Sequence, residues 1–277
     1  MLLRFTKMHG LGNDFMVVDL VTQRYKFNSQ MVKRLADRQL GVGFDQLLVI
    51  EVPSNPEMDF RYRIFNGDGS EVEHCGNGAR CFALFVKEKR LTAKNVIAVE
   101  TAKGNMTLSI SDDGLVEVDM GAPVLEPAQI PFISDTQQIS YAVDVDNISY
   151  EVSVVSMGNP HTVLIVDDVN SAPVTELGPK MQHQACFPNS SNIGFMQIVN
   201  DSEINLRVYE RGVGETLACG TGACAAVVAG RLRGLLKERV KVNVSGGKLE
   251  IFWRGGEADP VIMTGPATNV FEGKMFI

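Results

Sequence analysis

The chain has 277 residues, of which 45% are apolar and 21% are charged, and its formal net charge is −7. This composition is typical of a folded globular protein with room for two hydrophobic cores, because a single core usually stops growing at about 250–300 residues. The acidic balance argues against nucleic-acid binding, and no apolar run reaches the ~20 residues that a membrane span needs.

The first predicted helix lies within the segment NSQMVKRLADRQLG. Asn28 or Ser29 can cap its first turn, and Gly41 can end it. The apolar residues between these limits have the spacing of one helix face. The predicted buried stripe consists of Met31, Val32, Leu35 and Ala36.

Two further predicted helices each follow a cysteine. After Cys75, apolar residues recur at spacings of three and four and predict a helix over Gly78–Glu88. After Cys219 the same spacing recurs with small residues, which favour a helix packed tightly inside its domain. The stripe of this helix consists of Ala223, Ala226, Val227 and Gly230. Most other segments alternate as strands do, with DDG and SGG as hairpin turns, so the sequence predicts an α+β fold.

The two halves of the chain resemble each other in one register. When Cys75 is set against Cys219, RIFNGDGSEVEHC aligns with RVYERGVGETLAC. The aligned pairs are Arg63 with Arg207, Phe65 with Tyr209, Asn66 with Glu210, and Glu71 with Glu215. The upstream pairs are Asn13 with Asn159 and Gln46 with Gln197. A repeat of this length has the size of a domain and is too long for a solenoid.

The repeat predicts two pseudo-symmetric lobes. We expect each lobe to be a mixed or antiparallel sheet wrapped around a central helix, with the active site in the cleft between the lobes. The N-terminal lobe is expected to comprise residues 1–120 and 265–277, and the C-terminal lobe residues 121–264. The last segment, GPATNVFEGKMFI, has no counterpart that stays in the second lobe, so we expect it to return to the first as an edge strand.

The cysteines do not form a pattern typical of a disulfide framework or of a zinc site. The chain has five, which is an odd number, and the spacings of the two close pairs differ from those of zinc ligands. We therefore expect no metal. Because the first residues also lack the apolar core of a signal peptide, we expect a cytoplasmic protein with no membrane partner. The expected buried structural cysteines are Cys81, Cys186 and Cys224.

Cys75 and Cys219 stand where a helix begins, in front of the glycine-rich sequences GNG and GTG. A helix N-terminus presents unpaired N–H groups and about half a positive charge, and glycine lets a ligand approach the backbone closely. Each site can therefore hold a carboxylate and lower the pKa of its thiol. If both thiols face one carbon, one can remove an α-proton while the other delivers a proton to the opposite face. This arrangement suits the inversion of a stereocentre beside a carboxylate.

Three further residues are candidates for function. His161 lies in GNPH after a strand pattern and corresponds by the repeat to the loop that follows the first strand. Glu210 and Arg211 end a strand at the positions that correspond to Asn66 and its neighbour. His74 is less suited to act as a base, because adjacent residues of an extended segment point apart.

The motifs MHGLGNDF, GFDQLL, FNGDGSEVEHCGNGARC, SMGNPH, NIGFMQ and YERGVGETLACGTGACA occur in this order. Together they closely resemble the diaminopimelate epimerase family, and the likeness covers essentially the whole chain. The resemblance implies interconversion of LL- and meso-diaminopimelate, in lysine and cell-wall precursor synthesis, without pyridoxal phosphate or any other cofactor and without metal. It also implies a homodimer whose lobes close around the small amino-acid substrate.

The resemblance also assigns roles to individual residues. Cys75 and Cys219 match the acid/base cysteines, with His161 as the partner of Cys75 and Glu210 as the partner of Cys219. The family's backbone cradle, meaning the N–H groups that bind the reacting carboxylate, is matched in this sequence by Gly76, Asn77, Gly220 and Thr221. The residues near the reacting centre match Asn13 and Gln46. The group that holds the distal end of the substrate matches Asn66, Asn159, Asn192 and Arg211. Glu210 also counts among the substrate-binding residues.

Three alternatives remain open. A proline or hydroxyproline racemase-like enzyme uses the same two-thiol chemistry, but a small cyclic substrate does not need Arg211 and three asparagines. A thiol-disulfide protein can use Cys75 and Cys219 as a redox pair, but it has no use for the amide side chains. A non-catalytic amino-acid binding module keeps the backbone cradle and leaves both thiols idle.

Overall fold

The computed structural model describes residues 2–72, 76–102 and 104–277. The backbone forms two compact units, a first unit of Met1–Asp119 with Gly265–Ile277 and a second unit of Met120–Thr264. Among the described residues, no helix is both long and apolar enough to cross a membrane. Predicted Cys75 and His74 lie outside the described residues.

The helices are short and few compared with the strands. In chain order the helices are α1 Ser29–Ala36, α2 Gly76–Glu88, α3 Val174–Gln182 and α4 Gly220–Leu232, with a 3-10 turn at Pro127–Gln129. The strands up to the end of the first unit's main segment are β1 Leu2–Gly10, β2 Asn13–Asp19, β3 Gln46–Glu51, β4 Phe60–Asn66, β5 Glu71–Val72, β6 Val96–Thr101, β7 Gly104–Ile110 and β8 Val116–Asp119. The remaining strands are β9 Tyr141–Val145, β10 Ile148–Ser156, β11 Pro160–Ile165, β12 Asn192–Asn200, β13 Glu203–Glu210, β14 Gly214–Thr216, β15 Arg239–Val244, β16 Gly247–Phe252, β17 Ile262–Gly265 and β18 Thr268–Phe276.

The strands of the first unit form a mixed sheet. β2 pairs antiparallel with β1 and parallel with β3, and β3 pairs antiparallel with β4. β4 then pairs antiparallel with β5 and parallel with β6, which continues antiparallel into β7 and β8. The C-terminal strand β18 pairs antiparallel with β1, with Leu2 opposite Phe276. Helix α2 packs against β1, β7 and β8 and is enclosed by this sheet.

The second unit repeats this pairing strand by strand. β10 and β11 are antiparallel, β11 and β12 are parallel, and β12 and β13 are antiparallel. β13 pairs antiparallel with β14 and parallel with β15, which continues into β16 and β17. β9 pairs with β10 as β18 pairs with β1. Helix α4 packs against β10, β11, β12 and β16, so the predicted α+β class with a mixed sheet around a helix is confirmed.

Helix α1 begins at the predicted cap but ends earlier than predicted. The Asn28 side chain accepts a hydrogen bond from the Met31 N–H at 2.8 Å. The helix ends at Ala36, because Asp37 leaves the helical conformation with φ −57° and ψ 125°. Its carboxylate accepts from the N–H groups of the two residues at 39 and 40, at 2.8 and 2.7 Å. This local turn competes with continuation of the helix to Gly41.

Helix α4 is buried around almost its whole circumference. Gly220 and every residue from 222 to 230 are buried, and the small side chains make this possible because strands can approach the helix backbone closely. A Cβ at Gly222 would lie 3.1 Å from Val208 Cγ2 and 3.3 Å from Cys219 Sγ. The predicted tight packing of this helix is therefore observed.

The strand register corrects one pair of the sequence repeat. Phe15 on β2 lies beside Gln46 on β3, and at the corresponding place His161 on β11 lies beside Asn192 on β12. Gln46 therefore corresponds to Asn192, and the predicted match with Gln197 is wrong. Gln197 lies farther along β12, opposite the residue at 205. Aligning the two segments on their shared glycine and glutamine had shifted the sequence repeat out of the register of the strands.

Candidate active site

Cys219 is the residue that precedes helix α4. It has the extended conformation of an N-cap residue, with φ −120° and ψ 107°, and it is only 4% exposed. The Ala223 N–H donates to the Cys219 carbonyl at 2.9 Å and closes the first helical turn. The N–H groups of the first turn, including those of Gly220 and Thr221, have no partner along the helix. The thiol therefore stands at the positive end of the helix dipole.

The Cys219 thiol is hydrogen-bonded to a carboxylate from the β13–β14 hairpin. Its Sγ donates to Glu210 Oε2 at 3.0 Å. The other carboxylate oxygen, Oε1, accepts from the Thr216 hydroxyl at 2.5 Å. The Thr221 hydroxyl lies 3.6 Å from Sγ. The predicted residues Cys219, Glu210 and Thr221 thus lie together, with Thr216 as an additional member.

The pKa of the Cys219 thiol is raised well above its ordinary value. Burial is the largest cause, followed by the charge of Glu210 and the hydrogen bond to it. The Thr221 hydroxyl and the Gly222 N–H act in the opposite direction, but they do not compensate. The helix end lowers this pKa through the Gly222 N–H, as expected, but burial and the Glu210 carboxylate outweigh this effect. At neutral pH the residue is therefore a thiol and not a thiolate.

His161 lies on β11 and is almost fully buried. Its pKa is lowered to about 3, first by burial and second by the charge of Arg211. The imidazole is therefore neutral. Its Nε2 lies 3.1 Å from Asn159 Oδ1. Because an amide oxygen can only accept, Nε2 carries the hydrogen, and Nδ1 keeps the lone pair that can accept a proton.

Asn159, Asn192 and Arg211 surround the same end of the second unit's sheet. Asn192 begins β12 beside His161. Its Oδ1 accepts from the Arg211 backbone N–H at 2.8 Å, which fixes the segment just after β13. The Arg211 Nη1 donates to the carbonyl at residue 189 at 2.8 Å, and the rest of this exposed guanidinium can meet a carboxylate. The second unit thus brings together His161, Asn159, Asn192 and Arg211.

In the first unit, the predicted residues form two hydrogen-bonded pairs. Gln46 Nε2 donates to Asn66 Oδ1 at 3.0 Å, and Asn66 Nδ2 donates to Ser70 Oγ at 3.2 Å. Within residues 2–72, 76–102 and 104–277, nothing hydrogen-bonds to the buried Gln46 Oε1. A polar ligand can satisfy this oxygen.

The second pair lies at the start of helix α2. Asn77 Nδ2 donates to Asn13 Oδ1 at 3.4 Å, and Asn13 Nδ2 donates to Asp45 Oδ2 at 2.9 Å. Gly76 is the first residue of the helix and is buried with Asn77. The position of the other predicted acid/base residue, Cys75, lies outside the described residues, so its partnership with His161 stays a prediction.

Two residues that contact the site were not among the candidates predicted from the sequence. Thr216 could have been found by the repeat, because the aligned residue is Val72 and the substitution adds a hydroxyl beside Glu210. Arg80 could have been found as a charge inside the apolar pattern of α2. It is fully buried and donates to Asn77 Oδ1 at 2.9 Å and to the Pro266 carbonyl at 3.1 Å.

Comparison with known proteins identifies the family. The sequence model described as Diaminopimelate epimerase matches residues 5–126 and 153–270. The chain is 59% identical over 275 residues to the diaminopimelate epimerase of Pseudomonas entomophila (strain L48). It is 57% identical over 275 residues to the diaminopimelate epimerase of Teredinibacter turnerae (strain ATCC 39867 / T7901). Each alignment covers 99% of this chain and 99% of the relative.

The fold has a wider distribution. A crystal structure of a probable proline racemase from Agrobacterium radiobacter K84, with bound carbonate, matches with a TM-score of 0.71 at 14% identity, covering 99% of this chain and 93% of the other. At this identity the likeness concerns the fold alone. The family match over most of the sequence and the two relatives of nearly the same length show that this chain belongs to the diaminopimelate epimerase family.

Proposed function

We propose that this protein interconverts LL- and meso-diaminopimelate by moving protons between two cysteines, without pyridoxal phosphate. The contact that carries the proposal is the buried Cys219 thiol donating to Glu210 at the start of a helix, in a chain of this family. A thiol held in this way is a proton donor, and the helix end beside it suits a carboxylate. The reaction serves the synthesis of lysine and of cell-wall precursor.

The proposed reaction moves one proton off a carbon and another onto it. The Cys75 thiolate takes the α-hydrogen as a proton, and the electron pair of the broken C–H bond spreads into the neighbouring carboxylate. Cys219 gives its thiol proton to the opposite face, and the new C–H bond completes the inversion. Cys75 ends as a thiol and Cys219 as a thiolate, which is the state that starts the reverse reaction. His161 then takes the proton from Cys75, and Cys219 regains a proton that enters from solvent by way of the Glu210 carboxylate.

The raised pKa of Cys219 supports this assignment of direction. A thiol kept protonated by burial and by Glu210 is suited to donate first. The neutral His161 keeps a lone pair on Nδ1, and a thiolate formed beside the ring would favour the protonated imidazole that burial disfavours. The meeting of Cys75 and Cys219 at one substrate carbon, in a cleft between lobes, is part of the proposal.

The polar side chains are proposed to select the substrate. The N–H groups of Gly76, Asn77, Gly220 and Thr221 bind the carboxylate beside the reacting carbon. Asn13 and Gln46 lie near that carbon. The distal amino-acid end, which is not inverted, binds to Asn66, Asn159, Asn192 and Arg211. Arg211 has the planar fork that pairs two oxygens of a carboxylate, and this requirement for a second acid group disfavours proline.

We also propose a homodimer in the cytoplasm. Several apolar side chains on the paired strands β1 and β18 are exposed, which is typical of an interaction surface. They are Leu2, Val270, Phe271 and Phe276. Light scattering should give twice the 30.3 kDa of one chain. A reducing compartment suits a reaction that needs two reduced cysteines.

Proton exchange with solvent tests the proposed function. The purified protein, with no added cofactor, is mixed with LL-diaminopimelate in deuterated water. Meso product should appear with deuterium at the inverted α-carbon, because the donated proton comes from a thiol that has exchanged with solvent. Treatment with hydroxylamine, which removes pyridoxal phosphate, should leave the rate unchanged. Inversion of proline but not of diaminopimelate, or meso product without deuterium, would overturn the proposal.

A further inference from the structure

The Thr216 hydroxyl holds one oxygen of the carboxylate whose other oxygen holds the thiol. Thr216 Oγ1 donates to Glu210 Oε1 at 2.5 Å, and Cys219 Sγ donates to Glu210 Oε2 at 3.0 Å. With one oxygen bonded from each side, rotation of the carboxylate breaks both hydrogen bonds. Among the described residues, the thiol contacts the Glu210 carboxylate and the Thr221 hydroxyl, so the effect of Thr216 on Cys219 passes through Glu210.

The hairpin sets the position of Thr216. Val208 on β13 lies opposite Thr216 on β14, and Glu210 lies opposite Gly214. Glu210 and Thr216 are therefore diagonal neighbours on one face of the hairpin, within reach of each other's side chains. On the other face, Arg207 binds Glu215 through two bonds of 2.6 and 2.9 Å. Both faces of this short hairpin are thus held by cross-strand contacts.

The first unit lacks both members of this pair. At the position of Glu210 it has Asn66, and at the position of Thr216 it has Val72, as the matching strand pairs Ile64–Val72 and Val208–Thr216 require. The second unit thus has both the carboxylate and the hydroxyl at these two positions, and the first unit has neither. This joint difference, within hairpins of the same pairing, points to a function for Thr216 that depends on Glu210.

We propose that Thr216 is a positioning residue that fixes the Glu210 carboxylate for proton exchange with Cys219. The inference rests on the proposed function for its kinetic consequences, whereas the contact between Thr216 and Glu210 is observed directly. The hydroxyl keeps Oε2 aimed at the thiol while substrate enters and leaves. After Cys219 has given its proton to the substrate, a replacement proton can then pass to the thiolate through Oε2, which already faces the sulfur.

The kinetic test compares Thr216→Val with Thr216→Ser. Valine has nearly the same shape and suits a strand, but it lacks the hydroxyl, whereas serine keeps it. We expect Thr216→Val to lower kcat about tenfold to a hundredfold, because misplacing an acid–base group by about 1 Å costs up to ~10²-fold. KM should change less than about twofold, since the residue does not bind substrate. Thr216→Ser should recover most of the lost kcat.

The matched control is Thr107→Val, which removes the hydroxyl of an exposed residue on β7. It should have the kcat of the unchanged protein. The decisive comparison adds Glu210→Gln. If Thr216 acts through Glu210, Thr216→Val should lower kcat no further in the Glu210→Gln background. Equal losses in both backgrounds would mean a general effect on the hairpin and would overturn the proposal.

A second readout does not depend on catalysis. Alkylation of Cys219 by iodoacetamide is followed by peptide mass spectrometry in the absence of substrate. Because the Glu210 charge and hydrogen bond raise the thiol pKa, release of Glu210 in Thr216→Val should speed alkylation several-fold, while Thr216→Ser and Thr107→Val should keep the slow rate. An unchanged rate in Thr216→Val would overturn the inference. A protein that shows the faster alkylation but epimerises no diaminopimelate would overturn the proposed function alone.

Discussion

The hairpins β4–β5 and β13–β14 have the same backbone pairing and the same ion pair but different polar residues. Arg63 binds Glu71 at 2.7 Å in the first, and Arg207 binds Glu215 at 2.6 Å in the second. The second hairpin has the Glu210 carboxylate beside the cysteine that precedes its helix, and the first hairpin has Asn66 at the position of Glu210. The two units therefore share their strand pairing and their ion pair, whereas the proposed proton chemistry depends on side chains that differ between them.

The helices that follow these hairpins differ in the same way. Helix α4 is lined with small residues, and Cys224 occupies the place that Arg80 has in α2. The buried Arg80 guanidinium donates to Asn77 Oδ1 and to the Gly76 carbonyl, at 2.9 and 3.4 Å. The first turn of α2 is therefore supported by a positive charge, while the first turn of α4 is supported by close packing.

Removal of the Cys219 thiol should have the largest effect on activity. Cys219→Ala should lower kcat at least about 10³-fold, because general acid–base catalysis by a positioned group is worth roughly 10²–10⁴-fold. The matched control is Cys224→Ala, which removes another buried thiol from the same region and should keep most of the activity. Initial rates of meso product formation from the LL isomer measure both. Comparable losses in the two variants would argue against a special role for Cys219.

Giving the second hairpin the residue of the first should have the next largest effect. Glu210→Asn places the amide of Asn66 beside Cys219 and should lower kcat about 10²-fold, since the thiol loses its proton partner. The exposed residue Glu238 provides the control, Glu238→Asn. Kinetics in both directions of the reaction measure the effect. Retention of kcat in Glu210→Asn would show that the difference between the hairpins does not matter for proton transfer.

Features of the fold that depend on local sequence could be predicted, and features that depend on side-chain hydrogen bonds or on distant strand pairing could not. The cap at Asn28, the helix after Cys219 and the repeated hairpins were predictable, because they depend on local spacing and on glycine placement. The end of α1 could not be predicted, because the Asp37 carboxylate accepts hydrogen bonds from the backbone N–H groups of residues 39 and 40 and so turns the chain away from the helix. The register of Gln46 could not be predicted either, because strand pairing depends on contacts far apart in sequence.

The sequence predicted which residues belong to the candidate site better than it predicted their pKa values. The motifs bring Glu210, Cys219, His161 and Arg211 into the list of candidates, and the structure brings them to the same unit. The pKa of Cys219 was not predictable from the helix end alone, since burial and Glu210 act against the dipole. The role of Thr216 needed the strand pairing of β13 and β14, which shows the diagonal contact with Glu210.

The buried His161 predicts that the second unit loses stability in acid. Its pKa is about 3 in the folded protein and 6.5 ordinarily, so between these values the unfolded chain binds the proton and the folded chain does not. The stabilisation is therefore complete above pH 6.5 and is lost as the pH falls towards 3. The slope approaches about 1.4 kcal/mol per pH unit below pH 6.5, so about 2–3 kcal/mol is lost between pH 6.5 and about 4.5.

Urea unfolding of the unchanged protein and of His161→Asn at several pH values measures this contribution. The difference between the two proteins in the pH dependence of the free energy of unfolding should equal the His161 term, because the carboxylates that also titrate are shared by both. The first unit has Phe15 at the corresponding strand position and no such imidazole. Parallel pH dependences in the two proteins would mean that His161 is accessible to protons in the folded state.

The smallest expected effect is the difference between the two repeated ion pairs. The side chains of Arg207 and Glu215 are 23% and 24% exposed, whereas those of Arg63 and Glu71 are 31% and 39% exposed. Solvent screens the first-unit pair more strongly, so double-mutant cycles with Arg→Met and Glu→Gln should give a coupling free energy of about 1 kcal/mol in the second hairpin and about 0.5 kcal/mol in the first. Free energies of unfolding in urea supply the four corners of each cycle. A larger coupling in the first unit would mean that the more exposed pair is the better organised one, and that tight support of the hairpin is not reserved for the unit that carries Glu210 and Cys219.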